Sequence, residues 1–369
     1  MADGREPTHL AERGTPPHND HTGIRGLAAG SAPVPLSVLD LAPVGSGRSA
    51  ADSLRTGVRL ARLAERRGFH RYWVAEHHAM ADIASSSPAV ILAHLAAHTR
   101  RLRLGSGGVM LPNHAPLIVA EQFGTLEALA PGRIDLGVGR AAGTDAATTA
   151  ALARSDDAED FPQLLRTLLH FLDDDVPEGH PHAGVHAVPG RAQGLDSRPP
   201  VWILGASENS ARLAGRLGLP YAFAHHFFAR RTVAALDTYR ACFRPSALLD
   251  KPCTLISVPV LAADDVREAR RQLRTSALAM FRRRTTGRSA PIPTPEEAEA
   301  HRFSTEDEEL LRARWEVVVH GAADEVRAGL DHLQKTTGAD ELMITTSAHA
   351  GETRLRSYEL VADAYGMPA

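Results

Sequence analysis

The feature that most constrains this chain is an eightfold alternation of short β-rich apolar runs with longer amphipathic stretches. The runs are "PLSVLDL" (35–41), "RYWVAE" (71–76), "LRLGSGGVML" (102–111), "RIDLGVG" (133–139), "PVWILG" (200–205), "YAFAHH" (221–226), "TLISVPVLA" (254–262) and "ELMITT" (341–346), each of strand length. Apolar residues recur at three- and four-residue spacing between them. In "LRTGVRLARLAERRG" (54–68), Leu54, Val58, Ala61, Leu63 and Ala64 share one face and Gly68 closes the helix. "SPAVILAHLAAHTR" (87–100) opens with a Ser cap and Pro88, and "APLIVAEQFGTLEALAPGR" (115–133) stops at Pro-Gly. Eight such units predict an α/β fold, the closed (β/α)8 TIM barrel, whose active site lies at the C-terminal ends of the strands. An open doubly wound sheet is the alternative.

Two stretches exceed one βα unit and are expected as insertions after strands 4 and 7. Residues 141–199 contain "HPHAGVHAVPGRAQGLDSRPP" and predict a strand-end loop, a helix and an irregular hairpin. Residues 281–320 begin with a basic, Pro-rich run, and 281–305 is the candidate lid. Residues 1–33 are rich in Gly, Pro, His and charge and are expected to form a disordered tail, leaving 34–369 as a single domain.

Composition narrows the function classes. A net charge of -3 argues against a dedicated nucleic-acid binder. Cys242 and Cys253 are too few for a disulfide framework and lack metal-ligand spacing, which points to a reducing compartment. With no long apolar run and no signal-like start, the expectation is a cytoplasmic protein without a membrane segment.

The strand ends carry the chemistry. In "RYWVAEHHAM", His77 and His78 fall just past the second strand, where one should face the pocket and serve proton transfer near neutral pH. Metal ligation and a purely structural pair are the alternatives. Gly105, Gly107 and Gly108 in "GSGGVMLP" suggest close approach of a flat ring to the backbone, or a tight barrel bend. Arg140, beside Gly139 at the fourth strand end, could fix a phosphate or an electron-rich ring edge. "ILGASENSARLA" sets Gly205, Ala206, Ser207 and Ser210 at a strand-to-helix turn, a phosphate site or an ordinary Ser cap. Glu76 and Asp135 are the carboxylates that a barrel hydrolase would need, but both belong to the strand runs.

In this order the motifs resemble the bacterial luciferase-like flavin-dependent monooxygenases, over nearly the whole chain from Pro35 to about Ala364. "WVAEHH" is similar to that family's second-strand motif, which implies that His77 is the catalytic histidine and His78 its neighbour. "GSGGVMLP" resembles the segment behind the flavin ring, implying that Gly107, Gly108 and Val109 back the cofactor and that Gly107-Gly108 is a non-prolyl cis peptide. "RIDLGVGRAAG" and "ILGASENSARLA" resemble its phosphate-contacting segments, implying roles for Gly139, Arg140, Gly205, Ala206, Ser207 and Ser210. Gly139 stands where luciferase has a cysteine, and Ala206 where it has a glutamate.

The resemblance implies a two-component monooxygenase. It would take reduced FMN from a flavin reductase, use O2 through a flavin 4a-hydroperoxide, act on a small organic molecule and form a homodimer. A deazaflavin-dependent dehydrogenase on the same barrel and a non-catalytic flavin-binding partner subunit are its alternatives.

Overall fold

The computed structural model describes residues 23–152 and 160–369. Its strands are β1 (Leu36–Asp40), β2 (Arg71–Val74), β3 (Arg103–Met110), β4 (Ile134–Gly139), β5 (Val201–Gly205), β6 (Tyr221–Phe223), β7 (Thr254–Ala262), β8 (Val319–Gly321) and β9 (Glu341–Thr345). All pairings among them are parallel, and the ring β1-β2-β3-β4-β5-β6-β7-β9 closes on β1. Each of these eight strands lies inside one of the eight apolar runs, and the β6–β7 and β9–β1 pairings make the sheet a (β/α)8 barrel and not an open sheet. β8 is a ninth strand, which the pattern did not announce. It pairs with Val260–Ala262, where the long β7 overshoots its barrel neighbours.

The outer layer comprises α1 (Ala50–Arg67), α2 (Pro88–His98), α3 (Pro116–Leu129), the short α4 (Ala146–Ala151), α5 (Phe161–Asp173), α6 (Glu208–Leu217), the one-turn α7 (His225–Phe228), α8 (Thr232–Cys242), α9 (Val266–Thr286), α10 (Pro295–Ala300), α11 (Thr305–Trp315), α12 (Ala323–Thr337) and α13 (Gly351–Ala364). α1 begins four residues before its apolar spacing does, because Ser49 and Asp52 form a capping box. Gly68 ends it at φ +77°, a left-handed position that glycine adopts without a Cβ clash. Ser87 holds the N-cap position of α2 but makes no side-chain cap bond. Among the described residues, no helix is long and apolar enough to cross a membrane.

Inside the barrel, the ends of the strands differ in chemistry. At the N-terminal end, Arg71 donates to both Glu341 oxygens at 2.8 and 2.9 Å and to Asp135 at 2.8 Å. Arg103 donates to the other Asp135 oxygen at 2.6 Å, and Trp73 Nε1 to Asp135 at 3.1 Å. Burial alone would raise the Asp135 pKa, but the two arginines outweigh it and hold the carboxyl below its ordinary value. Removing one partner of such a buried network costs about 3–5 kcal/mol. Asp135 is therefore a structural ion-pair partner, far along the strand from the mouth.

Three expectations need correction. The tail expected over 1–33 ends earlier, because Ile24 is fully buried in the barrel interior and its carbonyl accepts from Arg71; residues 1–22 lie outside the described residues. No hairpin forms over 174–199, where Pro177, Pro181, Pro189 and Pro199 remove ladder donors. Residues 281–286 are the last turns of α9, and Phe281 packs with Ala277 and Leu311. Beyond it, Ile292 exchanges backbone bonds with Val44 (2.9 Å) and Ser46 (2.8 Å), and the Asp82 amide donates to Ser289 Oγ at 3.2 Å. The insertion is thus tied to the loops that follow β1 and β2.

Candidate active site

A cavity of about 640 Å³ opens at the C-terminal ends of the strands. Its floor is Trp73, Leu39, Leu255 and Met343, projecting inward from β2, β1, β7 and β9. Its wall takes in His77, Gly107, Gly139, Arg140, Gly205, Ala206, Ser207 and Ser210, so eight of the expected site residues converge from four strand ends.

His78, Gly108 and Val109 stand outside that wall, for packing reasons. His78 Nε2 lies 2.9 Å from Glu76 Oε1. The Gly108 Cα abuts β4, where a Cβ would come within 2.8 Å of the Gly137 carbonyl. Val109 is 4% exposed in the core between strands and helices. The Gly107-Gly108 peptide is cis, as the resemblance implies. Gly105 makes room for the Trp73 ring, since a Cβ there would lie 2.5 Å from Trp73 Nε1.

Glu76 explains the "EHH" stretch. It is fully buried and accepts from His78 Nε2 and His114 Nε2, each at 2.9 Å, from the Met110 amide at 3.1 Å and from Asn113 Nδ2 at 3.3 Å. Burial pushes its pKa up, yet the hydrogen bonds from His114 and His78 prevail and hold it below the ordinary carboxylate value. The loop after β2 is thereby pinned to the turn after β3. His77, next in sequence, is fixed by its amide bond to the Ser85 carbonyl at 3.0 Å. Among the described residues its Nδ1 is buried without a hydrogen-bond partner, and burial lowers the ring's pKa, so it is neutral at physiological pH. Among the described residues, no group of His, Cys, Asp or Glu is arranged to hold a metal ion.

At the opposite end, Ser207 caps α6 and accepts from the Ser210 amide at 3.4 Å. Ser210 Oγ donates to the Ser207 carbonyl at 2.7 Å and lies 3.0 Å from Tyr221 Oη. Only glycine fits at 205, because a Cβ there would sit 2.0 Å from Ser210 Oγ. The α6 N-terminus carries partial positive charge, and Arg140 and Arg231 add full charges to the same cavity. That combination is an anion cradle.

The sequence reading missed Arg231, Ser257, the aromatic rim of Phe161, Phe227 and Phe228, and above all His226. His226 Nδ1 lies 2.5 Å from Ser257 Oγ, and burial pushes its pKa down to about 3. The available signal was the second adjacent histidine pair, "AHHFF", at the end of the sixth run.

A (β/α)8 barrel with a neutral histidine in the wall of its mouth and two arginines beside a helix N-terminus has the layout of an enzyme active site. The family model for luciferase-like monooxygenases matches residues 34–341. The luciferase-like monooxygenase of Escherichia coli (strain K12) is 43% identical over 332 residues, covering 89% of this chain and 96% of that protein. The crystal structure of apo-MsnO8 superposes with a TM-score of 0.79 at 40% identity, over 91% of this chain and 99% of that one. This chain belongs to the luciferase-like monooxygenase family, a class of flavin-dependent monooxygenases. At 17% and 16% identity, each with a TM-score of 0.64, the fold alone is shared with two more distant structures. One is the oxygenating constituent of 3,6-diketocamphane monooxygenase in complex with FMN, covering 89% of this chain and 96% of that one; the other is an F420-dependent secondary alcohol dehydrogenase, covering 90% and 99%.

Proposed function

We propose that this chain is the oxygenating component of a two-component system. It takes reduced FMN from a separate flavin reductase and, with O2, places one oxygen atom in a small organic substrate while the other leaves as water. The observation that carries this reading is one continuous cavity with an anion cradle at one end and an uncharged histidine in its wall.

FMN suits the groups present. Ser207, Ser210, Arg140, Arg231 and the α6 N-terminus match a phosphate, and the backbone at Gly107, bare of a side chain, leaves room for a flat ring. Bound reduced FMN supplies the two electrons that activate O2. The chain's own tasks are to orient, to keep water out and to manage one proton. Phe161, Phe227 and Phe228 line the mouth and disfavour water there. His77 carries a neutral imidazole that can give or take a hydrogen bond at the reacting edge, a role worth about 10²- to 10⁴-fold in rate.

A deazaflavin transferring hydride without O2 is the second reading, favoured by the fold shared with an F420-dependent enzyme. The two part in one experiment: anaerobic titration with reduced FMN, then rapid mixing with O2 while the flavin spectrum is followed. A transient spectrum unlike oxidised or reduced FMN, outliving the oxidation of free reduced flavin, is the expected result. Reoxidation as fast as in free solution, together with tight binding of F420, refutes the proposal.

A further inference from the structure

His226 is a polar group of the cavity wall that neither the anion cradle nor the role given to His77 uses. In the eight-strand ring β6 stands four places from β2, so His226 rises across the mouth from His77. β7 stands four places from β3 in the same way, so Ser257 faces Gly107. With a flat cofactor ring against Gly107, the reading on which this inference rests, the far side of the ring looks toward Ser257, His226, Phe227, Phe228 and Leu255. That wall is where a substrate has to lie.

The contacts around His226 fit the tautomer with its proton on Nδ1. The Ser257 hydroxyl donates to the Phe223 carbonyl at 3.4 Å, leaving its oxygen to accept at 2.5 Å from His226 Nδ1. The Ser257 backbone also acts to raise the His226 pKa, as a carbonyl facing a ring N–H does. Both neighbours call for the proton on Nδ1. Nε2 is then a bare lone pair, and it is absent from the buried polar atoms that lack partners.

Such a nitrogen accepts a hydrogen bond but keeps no proton. Burial among the cavity walls, reinforced by His77, His225 and Arg314 nearby, holds the ring's pKa near about 3, against about 10 for a phenolic O–H, so full transfer is strongly uphill. Charge narrows the ligand further. Among the described residues the cavity wall contains no Asp, Glu or Lys, so a cation finds no counter-charge there, and on the flavin reading Arg140 and Arg231 serve the phosphate.

We propose that His226 is a specificity-determining residue of the substrate subsite. Its Nε2 accepts a hydrogen bond from a hydroxyl or N–H of a neutral, flat, largely apolar substrate packed against Phe227, Phe228 and Leu255. An isostere lacking the donor leaves Nε2 desolvated and unpaired and binds about tenfold more weakly.

The probes are 2-naphthol and its methyl ether, 2-methoxynaphthalene, titrated calorimetrically into the FMN-loaded protein. Wild type should prefer the naphthol about tenfold. His226→Leu should lose that preference while holding the ether as wild type does, and His226→Gln, whose amide oxygen can replace the acceptor, should restore it. A preference that survives His226→Leu, or that wild type never shows, including failure of both probes to bind, overturns the inference. FMN titration of the same preparations separates the two readings. Intact FMN binding with no His226-dependent preference sinks this inference alone, whereas wild type without FMN affinity sinks the flavin reading and this one with it. A long-range ¹H–¹⁵N spectrum of wild type should show the neutral Nδ1–H form of His226; the Nε2–H form would equally overturn the assignment.

Discussion

His225, the neighbour of His226, offers the sharpest test of the electrostatics at this strand end. It opens α7 at 7% exposure, with Nδ1 2.8 Å from Thr232 Oγ1. Burial pushes its pKa from 6.5 down to about 4. The folded protein therefore keeps His225 neutral down to about pH 4, while the unfolded chain protonates it below about pH 6.5. Between those values the unfolded state binds more protons. The stability that His225 contributes is complete above the higher value, shrinks as pH falls, and is lost once the folded pKa is passed. At about 1.36 kcal/mol per pH unit the whole window is worth about 3 kcal/mol, and the part between about pH 7 and about pH 5 about 2 kcal/mol.

The perturbation is His225→Gln, which keeps a hydrogen-bonding partner for Thr232 and does not titrate. Urea unfolding of both proteins at about pH 7 and about pH 5, at one ionic strength, gives the stability difference at each pH. The advantage of wild type should shrink by about 2 kcal/mol on acidification. His226 titrates in both proteins, so its effect largely cancels. A difference that stays constant to within about 0.5 kcal/mol would refute the claim that His225 is held neutral by burial.

Four further outcomes follow from the geometry. His77→Ala should bind FMN within about twofold of wild type but lose about 10²- to 10⁴-fold in turnover; unchanged coupled oxygenation in a product assay would end the assignment. Arg140→Ala should weaken FMN binding about tenfold and leave riboflavin unaffected, and wild-type affinities equal for FMN and riboflavin would rule out a phosphate site. Gly205→Ala forces a Cβ to within 2.0 Å of Ser210 Oγ; FMN affinity should fall and stability drop by about 1–3 kcal/mol, and a variant matching wild type in both would show the turn is not built around Ser210. Arg71→Met strands Asp135 and Glu341 in the barrel interior and should cost about 3–5 kcal/mol in urea unfolding, with a loss under about 1 kcal/mol counting against the network.

The barrel was legible because periodicity is local. Each strand had to be β-rich over five or so residues and each helix amphipathic over three turns, and closure follows once eight units alternate. β8 escaped because three residues, Val319–Gly321, carry too short a pattern and form only against the overshoot of β7. The anion cradle was readable because a strand-turn-helix with serines at the turn is itself a local motif. His226 was not, because its role depends on Ser257, thirty-one positions away in sequence and adjacent only through the β6–β7 pairing. Arg71, Asp135 and Glu341 were illegible for the same reason. Nothing in single runs tells a strand arginine at a barrel end from one on a surface.

The two ends of the barrel solve opposite problems with the same residue types. At the closed end Arg71, Arg103, Asp135 and Glu341 satisfy one another, so nothing there is available to a ligand. At the mouth, pairing is displaced outward. Glu76 takes four donors just outside the cavity, which occupies His78 and His114 and locks the backbone on both sides of the site. His77, held between these anchors, can then carry a buried Nδ1 with no partner, a cost of about 1–3 kcal/mol that the bonds to Glu76 offset. Had the anchors been absent, the loop could turn His77 toward solvent and relieve that nitrogen. The strand stops at "EHH" because the acid and the second histidine fix the position of the first, and His77 thereby keeps its place in the cavity wall.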